Sequence, residues 1–353
     1  MLWKALWALT FGYLISAGIQ VLVTPEQMAR VLGKRGVKQA SLAAFFGFVS
    51  SSCSFAALAA SRSVLVKGAH PANALAFLIA STNLVIELGI VLWVLVGWRF
   101  MIGNLVLGLL MLIYAYGISR FCLPMGLVEQ AKKHAEAAQK AEGVDSSQPM
   151  ERSSLREKLL SRDGWTRISH AFFNEWLMVW KELLFGFTVA GFISTFVPQQ
   201  FWNTIFLLGD GKVDAYPPLS IVLENALVAP IVAFFTFIGS MGNVPLAAML
   251  WSKDLSFGGV MSFLGADLVA ATVIWIHIKY YGWRYALFLS ALLYVSMVLA
   301  GITTHYLFVL AEQIPESRPP LSEMVRFGID YTLFLNLIFA VIASVLFWLH
   351  ITD

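Results

Sequence analysis

Nine apolar blocks set the limits on what this chain can fold into. They lie at about residues 3–23, 40–66, 72–97, 100–119, 171–197, 218–252, 257–278, 284–310 and 328–350. Most approach the ~20 residues that carry a helix across a hydrocarbon core. Lipid offers no hydrogen bonds, so a spanning segment must pair its own backbone, and blocks of this length do so as helices. Charged residues make up only 13% of the chain, about half the share of an ordinary soluble domain. The prediction is an all-α polytopic membrane protein whose first partner is the lipid bilayer. Residues 3–23 are too long and too aromatic for a cleaved leader and read as the first span.

Two of the blocks are interrupted in the same way. Ser50-Ser51-Ser52-Cys53-Ser54 sits between Ala43-Ala44-Phe45-Phe46-Gly47-Phe48-Val49 and Phe55-Ala56-Ala57-Leu58-Ala59-Ala60. Downstream, Val232-Ala233-Phe234-Phe235-Thr236-Phe237-Ile238 leads into Gly239-Ser240-Met241-Gly242-Asn243, then Val244-Pro245-Leu246-Ala247-Ala248. Polar, helix-weakening sequence at membrane depth survives only where it is buried in protein or lines a cavity. One such cluster is adequately explained by small residues letting helices pack closely. Two, at corresponding places in two halves of a membrane chain, point to a transport site.

The likeness between the halves extends outward from the inserts. Pro25-Glu26-Gln27 after the first block answers Pro198-Gln199-Gln200 after the fifth, and Phe77-Leu78-Ile79-Ala80-Ser81 answers Phe263-Leu264-Gly265-Ala266-Asp267. Residues 1–120 and 171–306 therefore read as two membrane repeats. Residues 121–170 read as a solvated, partly helical linker, and 307–353 as a loop and a final span. Lys and Arg concentrate in the linker and its edges, from Arg120 through Lys132, Lys133 and Lys140 to Arg167, which places the linker in the cytoplasm. Basic residues in the two halves then favour opposite sides, as an odd number of crossings per half requires. That number follows if the interrupted blocks are re-entrant hairpins. Under that arrangement 18 Lys/Arg lie inside and 6 outside, against 16 and 8 if the same blocks cross fully. Inverted repeats are the preferred reading.

The candidate substrate-binding residues are Ser50, Ser51, Ser52, Cys53, Ser54, Thr236, Ser240, Gly242 and Asn243 at the tips, with Ser81, Thr82 and Asn83 interrupting the third block. Half-helices ending at mid-depth leave backbone groups unpaired, ready to replace a solute's hydration shell. Asp267 and Glu87 lie within spans, where a carboxylate costs at least about 2.5 kcal/mol on insertion scales. They are candidates to carry a proton or bind a coupling cation. Glu87, four residues after Asn83, is expected on the same helix face. Glu224 and Asn225, opening the second interrupted block, complete the ion-coupling set; the bland alternative for them is a helix cap. Glu175, Lys181 and Glu182 fit interfacial snorkelling. His277 and Trp251 fit interfacial aromatic belts. Cys53 is a soft ligand, or simply a small packing residue.

Other chemistries find no support in the sequence. Two cysteines, Cys53 and Cys122, give neither a disulfide framework nor metal-ligand spacing. There is no phosphate-loop motif and no paired His or His-Glu set within the spans. Neither a metal, a cofactor nor enzymatic activity is expected. A net charge of +3 is too small to speak for or against nucleic acid, and no nucleic-acid partner is expected. The expected partner besides lipid is a small-molecule or ion substrate, with a homo-oligomer left open.

Ser50–Ser54 before its Ala-rich arm, Ala80-Ser81-Thr82-Asn83, Glu224-Asn225-Ala226 and above all the run Thr236 to Ala247 resemble the bacterial predicted-permease family that contains the organoarsenical efflux permeases. The resemblance covers residues 1–306. It implies a polytopic inner-membrane permease and, in some relatives, export of trivalent methylated or aromatic arsenicals with cysteines implicated. This sequence departs at Gly239, where family members often carry cysteine, in a first insert with Cys53 alone, and at Thr82, which stands in place of a proline. The reading is a secondary transporter of the bacterial inner membrane working by alternating access, with organoarsenical efflux implied by the resemblance. The alternative is a channel, or a carrier of a small hydrophilic anion or sulfur compound.

Overall fold

The computed structural model describes residues 2–22, 32, 36–50, 54–141, 161–206, 217–236, 239–315, 318 and 331–352. Among these residues the structure is all helix and turn. In chain order come α1 (Leu2–Leu22), α2 (Val37–Ser50), α3 (Ser54–Val66), α4 (Pro71–Asn83), α5 (Ile86–Val96), α6 (Trp98–Cys122), α7 (Met125–Ala141), α8 (Arg162–Phe196), α9 (Gln199–Ile205), α10 (Leu219–Phe234), α11 (Ser240–Ser252) and α12 (Phe257–Gly265). A 3₁₀ turn, Ala266–Val269, then leads to α13 (Ala271–Tyr281), α14 (Trp283–Leu310) and α15 (Tyr331–Ile351). Five stretches are long and apolar enough to cross a membrane: Pro71–Val96, Trp98–Cys122, Phe257–Tyr281, Trp283–Leu310 and Tyr331–Ile351. The end of α8 with α9 makes a sixth only if their 103° bend, at Pro198, is counted within one span. The chain is a polytopic all-α membrane protein.

Local chemistry accounts for several boundaries. α8 starts inside the expected linker because Ser161 Oγ accepts from Gly164 N (3.0 Å) and Asp163 occupies the first turn, both favourable at a helix N-terminus. Gly97 and Gly282, with φ of 109° and 82°, turn the chain sharply between α5 and α6 and between α13 and α14, a conformation open chiefly to glycine. Pro230 lies inside α10, which continues through it. The hairpin arm ends at Phe234 instead.

Contacts at helix ends fix the direction of each element. Let the linker side be the end where α7 follows α6. The start of α8 meets the end of α15 there, through His170 against His350 and Ser169 Oγ donating to Leu346 O (2.7 Å). The other end of α15 meets the start of α1, where Asn336 Nδ2 donates to Trp3 O (2.8 Å). Hence α1 runs toward the linker side. The carbonyl of Leu32, just before α2, accepts from His70 N (3.1 Å) and Asn73 Nδ2 (2.8 Å), just after α3. Both ends of the α2–α3 hairpin therefore lie on the linker side. In the second half, Gln199 Nε2 donates to Lys253 O (3.1 Å), and Arg318 donates to Leu255 O (3.0 Å) while facing Asp254 (3.6 Å). Both ends of α10–α11 lie on the far side. Burial draws the Arg318 pKa below its ordinary value and the Asp254 carboxylate opposes the change.

The two halves thus traverse the molecule in opposite senses. Their packing corresponds as well. α2 lies on α4 as α10 lies on α12, α4 on α6 as α12 on α14, and α5 meets α11 as α13 meets α3, while α6 and α14 pack on each other. Three expectations about surface position are corrected. Glu175 is buried, with Ser16 Oγ of α1 donating to its Oε1 (2.6 Å). His277 is fully buried beneath Tyr281, and Trp251 is buried against Phe100 and Phe257. Each faces a neighbouring helix, whose position a hydropathy pattern does not reveal. Trp93, Trp98, Trp275, Trp283 and Trp348 are exposed, as interface anchors would be.

Candidate functional site

Four helices stop at one depth. α2 runs beside α4 so closely that an added methyl on Gly47 would meet Phe77 O and, at 2.9 Å, the Ala80 side chain. Ser50, one turn on, is therefore level with Asn83, one turn beyond Ala80. α10 runs beside α12 in the same way, with Asn225 against Gly259 and the later turns of α10 against the 3₁₀ segment. The two tips and the two breaks in the spans consequently share a level.

The first break follows from competition for backbone carbonyls. Ser81 Oγ donates to Leu78 O (3.0 Å), and Thr82 Oγ1 reaches Leu78 O (3.1 Å) and Ile79 O (3.2 Å). Such side-chain bonds offer the backbone an alternative to the helix. Asn104 of α6 donates to Asn83 O (2.9 Å), and Val85 turns extended before α5 begins. This break separates Asn83 from Glu87, so the expected shared helix face does not exist. Glu87 is instead buried in the first turn of α5, its Cα and Cβ against Gly12 of α1. The second break is the 3₁₀ turn that holds Asp267, followed by extended Ala270.

At this level the two interrupted segments meet. Ser54, at the head of α3, lies 3.4 Å from Ser240 Oγ, at the head of α11, and 3.3 Å from Asp267 Oδ2. These partners are 186 and 213 residues away in sequence. All three are buried, Asp267 completely. Asn243 is one turn beyond Ser240 on the same face of α11. It too is fully buried, and neither its Oδ1 nor its Nδ2 has a hydrogen-bond partner among the described residues. Ser50 donates to Gly47 O (3.3 Å) and Thr236 to Ala233 O (2.7 Å), closing the ends of α2 and α10. Gly242 turns its backbone to Gly186 of α8. Ser51, Ser52 and Cys53 lie outside the described residues.

Glu224 and Asn225 are placed elsewhere. With its amide oriented to satisfy both ends, Asn225 donates to Phe206 O (2.8 Å) and Glu224 Oε2 (2.6 Å) and accepts from Ser256 N (3.2 Å) and Oγ (3.1 Å). It ties α10 to the N-cap of α12, on the far side. Eleven residues, about 16 Å of helix, separate that joint from Asp267. Sequence reasoning missed Asn104. A lone amide inside an apolar block was the available signal. Among the described residues no three His, Cys, Asp or Glu side chains come together as metal ligands.

The comparisons with known proteins agree with a membrane role. Residues 1–306 match a family described as predicted permeases. A Mycobacterium tuberculosis protein carried as an inferred permease is 39% identical over 337 residues, covering 94% of this chain and 81% of its own length. No solved structure matches the chain.

Proposed function

We propose that this chain, which belongs to the predicted permease family over residues 1–306, is a secondary transporter whose small solute passes the point where the two interrupted segments meet. Family and relative both point to a membrane permease rather than an enzyme. The observation that carries the site is the approach of Ser240 and Asp267, from the second half of the chain, to within 3.4 Å of Ser54. Insertion energetics argue against burying such a cluster without use.

Each hairpin opens toward its own side, and the tips share one level. A solute held there is screened from the linker side by α2–α3 and from the far side by α10–α11. Rocking one half against the other exposes it alternately. We read residues 1–120 and 171–306 as inverted repeats joined by the 121–170 linker, with 307–353 as the loop and final span. The opposed chain directions and matched packing support that reading. The Lys/Arg distribution supports a linker in the cytoplasm of a bacterial inner membrane. Ser50, Ser54, Thr236, Ser240 and Asn243, with Ser81, Thr82 and Asn83, hold the solute. Asp267 carries the coupling proton.

In proteoliposomes with an imposed pH gradient, the wild type should accumulate solute saturably. Asp267→Asn should keep downhill exchange and lose accumulation. Unsaturable electrical conductance would instead make the protein a channel. The solute itself comes from a growth screen of a deletion strain against arsenicals, metals and small anions. Organoarsenical efflux, implied by the resemblance, has Cys53 as its soft ligand. Rescue of arsenical sensitivity by Cys53→Ser would remove the thiol from that role.

A further inference from the structure

Where a helix begins or ends inside lipid, its unpaired backbone groups need partners. In this chain several of those partners are side chains. The carbonyl ends at the central level are closed by side chains: Ser81 and Thr82 take those of Leu78 and Ile79, Asn104 takes that of Asn83, and Thr236 takes that of Ala233. Among the described residues, three amide ends at this level have no cap from their N-cap side chain. The N-caps there are Val85 before α5, Gly239 before α11 and Ala270 before α13, and none makes a side-chain capping bond. Nearer the ends of the molecule α4, α8 and α12 are capped by His70, Ser161 and Ser256, while α6, α9, α10 and α14 start there without a side-chain cap, where water can serve.

An open helix N-terminus carries about half a positive charge and aims its N–H groups at an anion. Asn243 is an independent sign of a ligand: it is fully buried, it lacks a partner for either amide atom among the described residues, and it lies on the face of α11 that Ser240 shares. Two acids stand at these amide ends, Asp267 within reach of Ser54 and Glu87 in the first turn of α5. Ionised, they balance the amide ends. They also repel an entering anion until one of them takes up a proton.

Resting on the central cluster described above, we propose that it binds a small monovalent anion together with one proton, the proton passing from solvent to the Asp267 carboxylate. No bond within the anion is made or broken. Other ionisable groups on the elements packed around Asp267 are placed for other tasks. α4, α11 and α12 carry none. On α3, Arg62 is eight residues beyond Ser54, about 12 Å along the helix, and stacks over Tyr280 at 3.8 Å. On α10, Glu224 belongs to the Asn225 joint. On α13, His277 is ten residues on, about 15 Å along the helix, with Lys279, Tyr280 and Tyr281 beyond it. On α14, Tyr294 donates to Leu227 O (2.8 Å) and His305 packs beside Gly258 with Tyr306 next to it, while Arg284 and Tyr285 start the helix at the linker side.

The test is isothermal titration calorimetry on the full-length protein in lipid nanodiscs, with formate, nitrate and thiocyanate as probes and sodium and potassium gluconate as cation controls. Two buffers of different ionisation heat give the protons taken up per ion. At least one probe should saturate, with about one proton taken up, and its affinity should fall about tenfold per pH unit at alkaline pH. Asp267→Asn should bind without proton uptake and without that slope, and Asn243→Leu should bind at least about tenfold more weakly. The wild-type proton count needs no variant to fold. The proposal is overturned if no probe binds, if a probe binds without proton uptake, or if sodium or potassium binds at a site lost in Asp267→Asn. If proton-linked anion binding survives both Asn243→Leu and Ser240→Ala, the central cluster is not the site and the transport reading fails with it. If those variants abolish binding of a neutral or cationic solute, the cluster stands and the anion proposal alone falls.

Discussion

Helices α8 and α11 cross backbone to backbone at Gly186 and Gly242, so Gly186→Ala is a sharp perturbation of the centre. A Cβ on Gly186 would sit 2.5 Å from Gly242 O, 2.9 Å from its Cα and 3.0 Å from its carbonyl carbon. Comfortable contact begins near ~3.5 Å, so the helices must part by about 1 Å. Overpacking of this kind costs about 1–3 kcal/mol. Gly242 lies between Ser240 and Asn243, so the same displacement carries both with it. A shift of about 1 Å either takes the 3.4 Å between Ser54 and Ser240 beyond hydrogen-bond reach or drives the two hydroxyls into each other. Gly191→Ala is the matched control. It lies five residues on in the same helix, with no heavy atom within 4 Å of an added Cβ, and an alanine there gains up to about 1 kcal/mol in helix propensity. Thermal unfolding in nanodiscs and solute flux in proteoliposomes read the two effects. Gly186→Ala should lower the unfolding midpoint and reduce flux about tenfold or more, while Gly191→Ala should match or exceed the wild type. Indistinguishable variants would refute the reasoning, because the backbone crossing would then not set the position of α11.

With Cys53 and Cys122 replaced by alanine, Ser54→Cys/Ser240→Cys should form a disulfide under mild oxidation, since hydroxyls 3.4 Å apart leave the β-carbons near disulfide range. Ser54→Cys/Ser256→Cys should not, and absence of the first cross-link would sink the meeting of the tips. A membrane-impermeant maleimide should label Lys67→Cys and Lys253→Cys from opposite faces of the membrane, and labelling from one face would end the hairpin geometry. Ser256→Ala removes the cap on α12 (3.2 Å to Gly259 N) and a partner of Asn225. It should cost about 1–2 kcal/mol, seen as a lower unfolding midpoint, and leave the pH dependence of transport unchanged; a changed pH profile would tie that joint to coupling.

What could be read in advance was whatever lipid makes expensive. The blocks, the two inserts, Ser81 to Asn83 and Asp267 all stand out because polar groups in an apolar run carry a large penalty, and the structure sets those that it describes at one level. What could not be read was who faces whom. Ser16 and Glu175 meet across 159 residues, and no periodicity within α8 reports that α1 lies beside it. His277 and Trp251 carry interface-type residues yet sit against neighbouring helices for the same reason. Asn83 and Glu87 looked like one helix face because spacing assumes a continuous helix, and the Ser81 and Thr82 hydroxyls end that helix between them. Glu224-Asn225 is legible as a polar pair, but only the arrival of Ser256 from the next helix shows that it is a joint.

The outer end of α11 is clasped. Arg318 stacks over Trp251 at 4.0 Å, donates to Leu255 O and faces Asp254, while the inner end of the helix crosses α8 at Gly186 and meets the opposing tip at Ser54. If α8 moves with it across the Gly186–Gly242 contact, the helix is a lever with its fulcrum at the solvent face. Thirteen residues give an arm of about 20 Å, so a tilt of about 10° at the clasp sweeps Ser240 through about 3 Å. That is the scale of the gap between Ser54 and Ser240, and a modest swing about Arg318 is enough to latch or release the two halves.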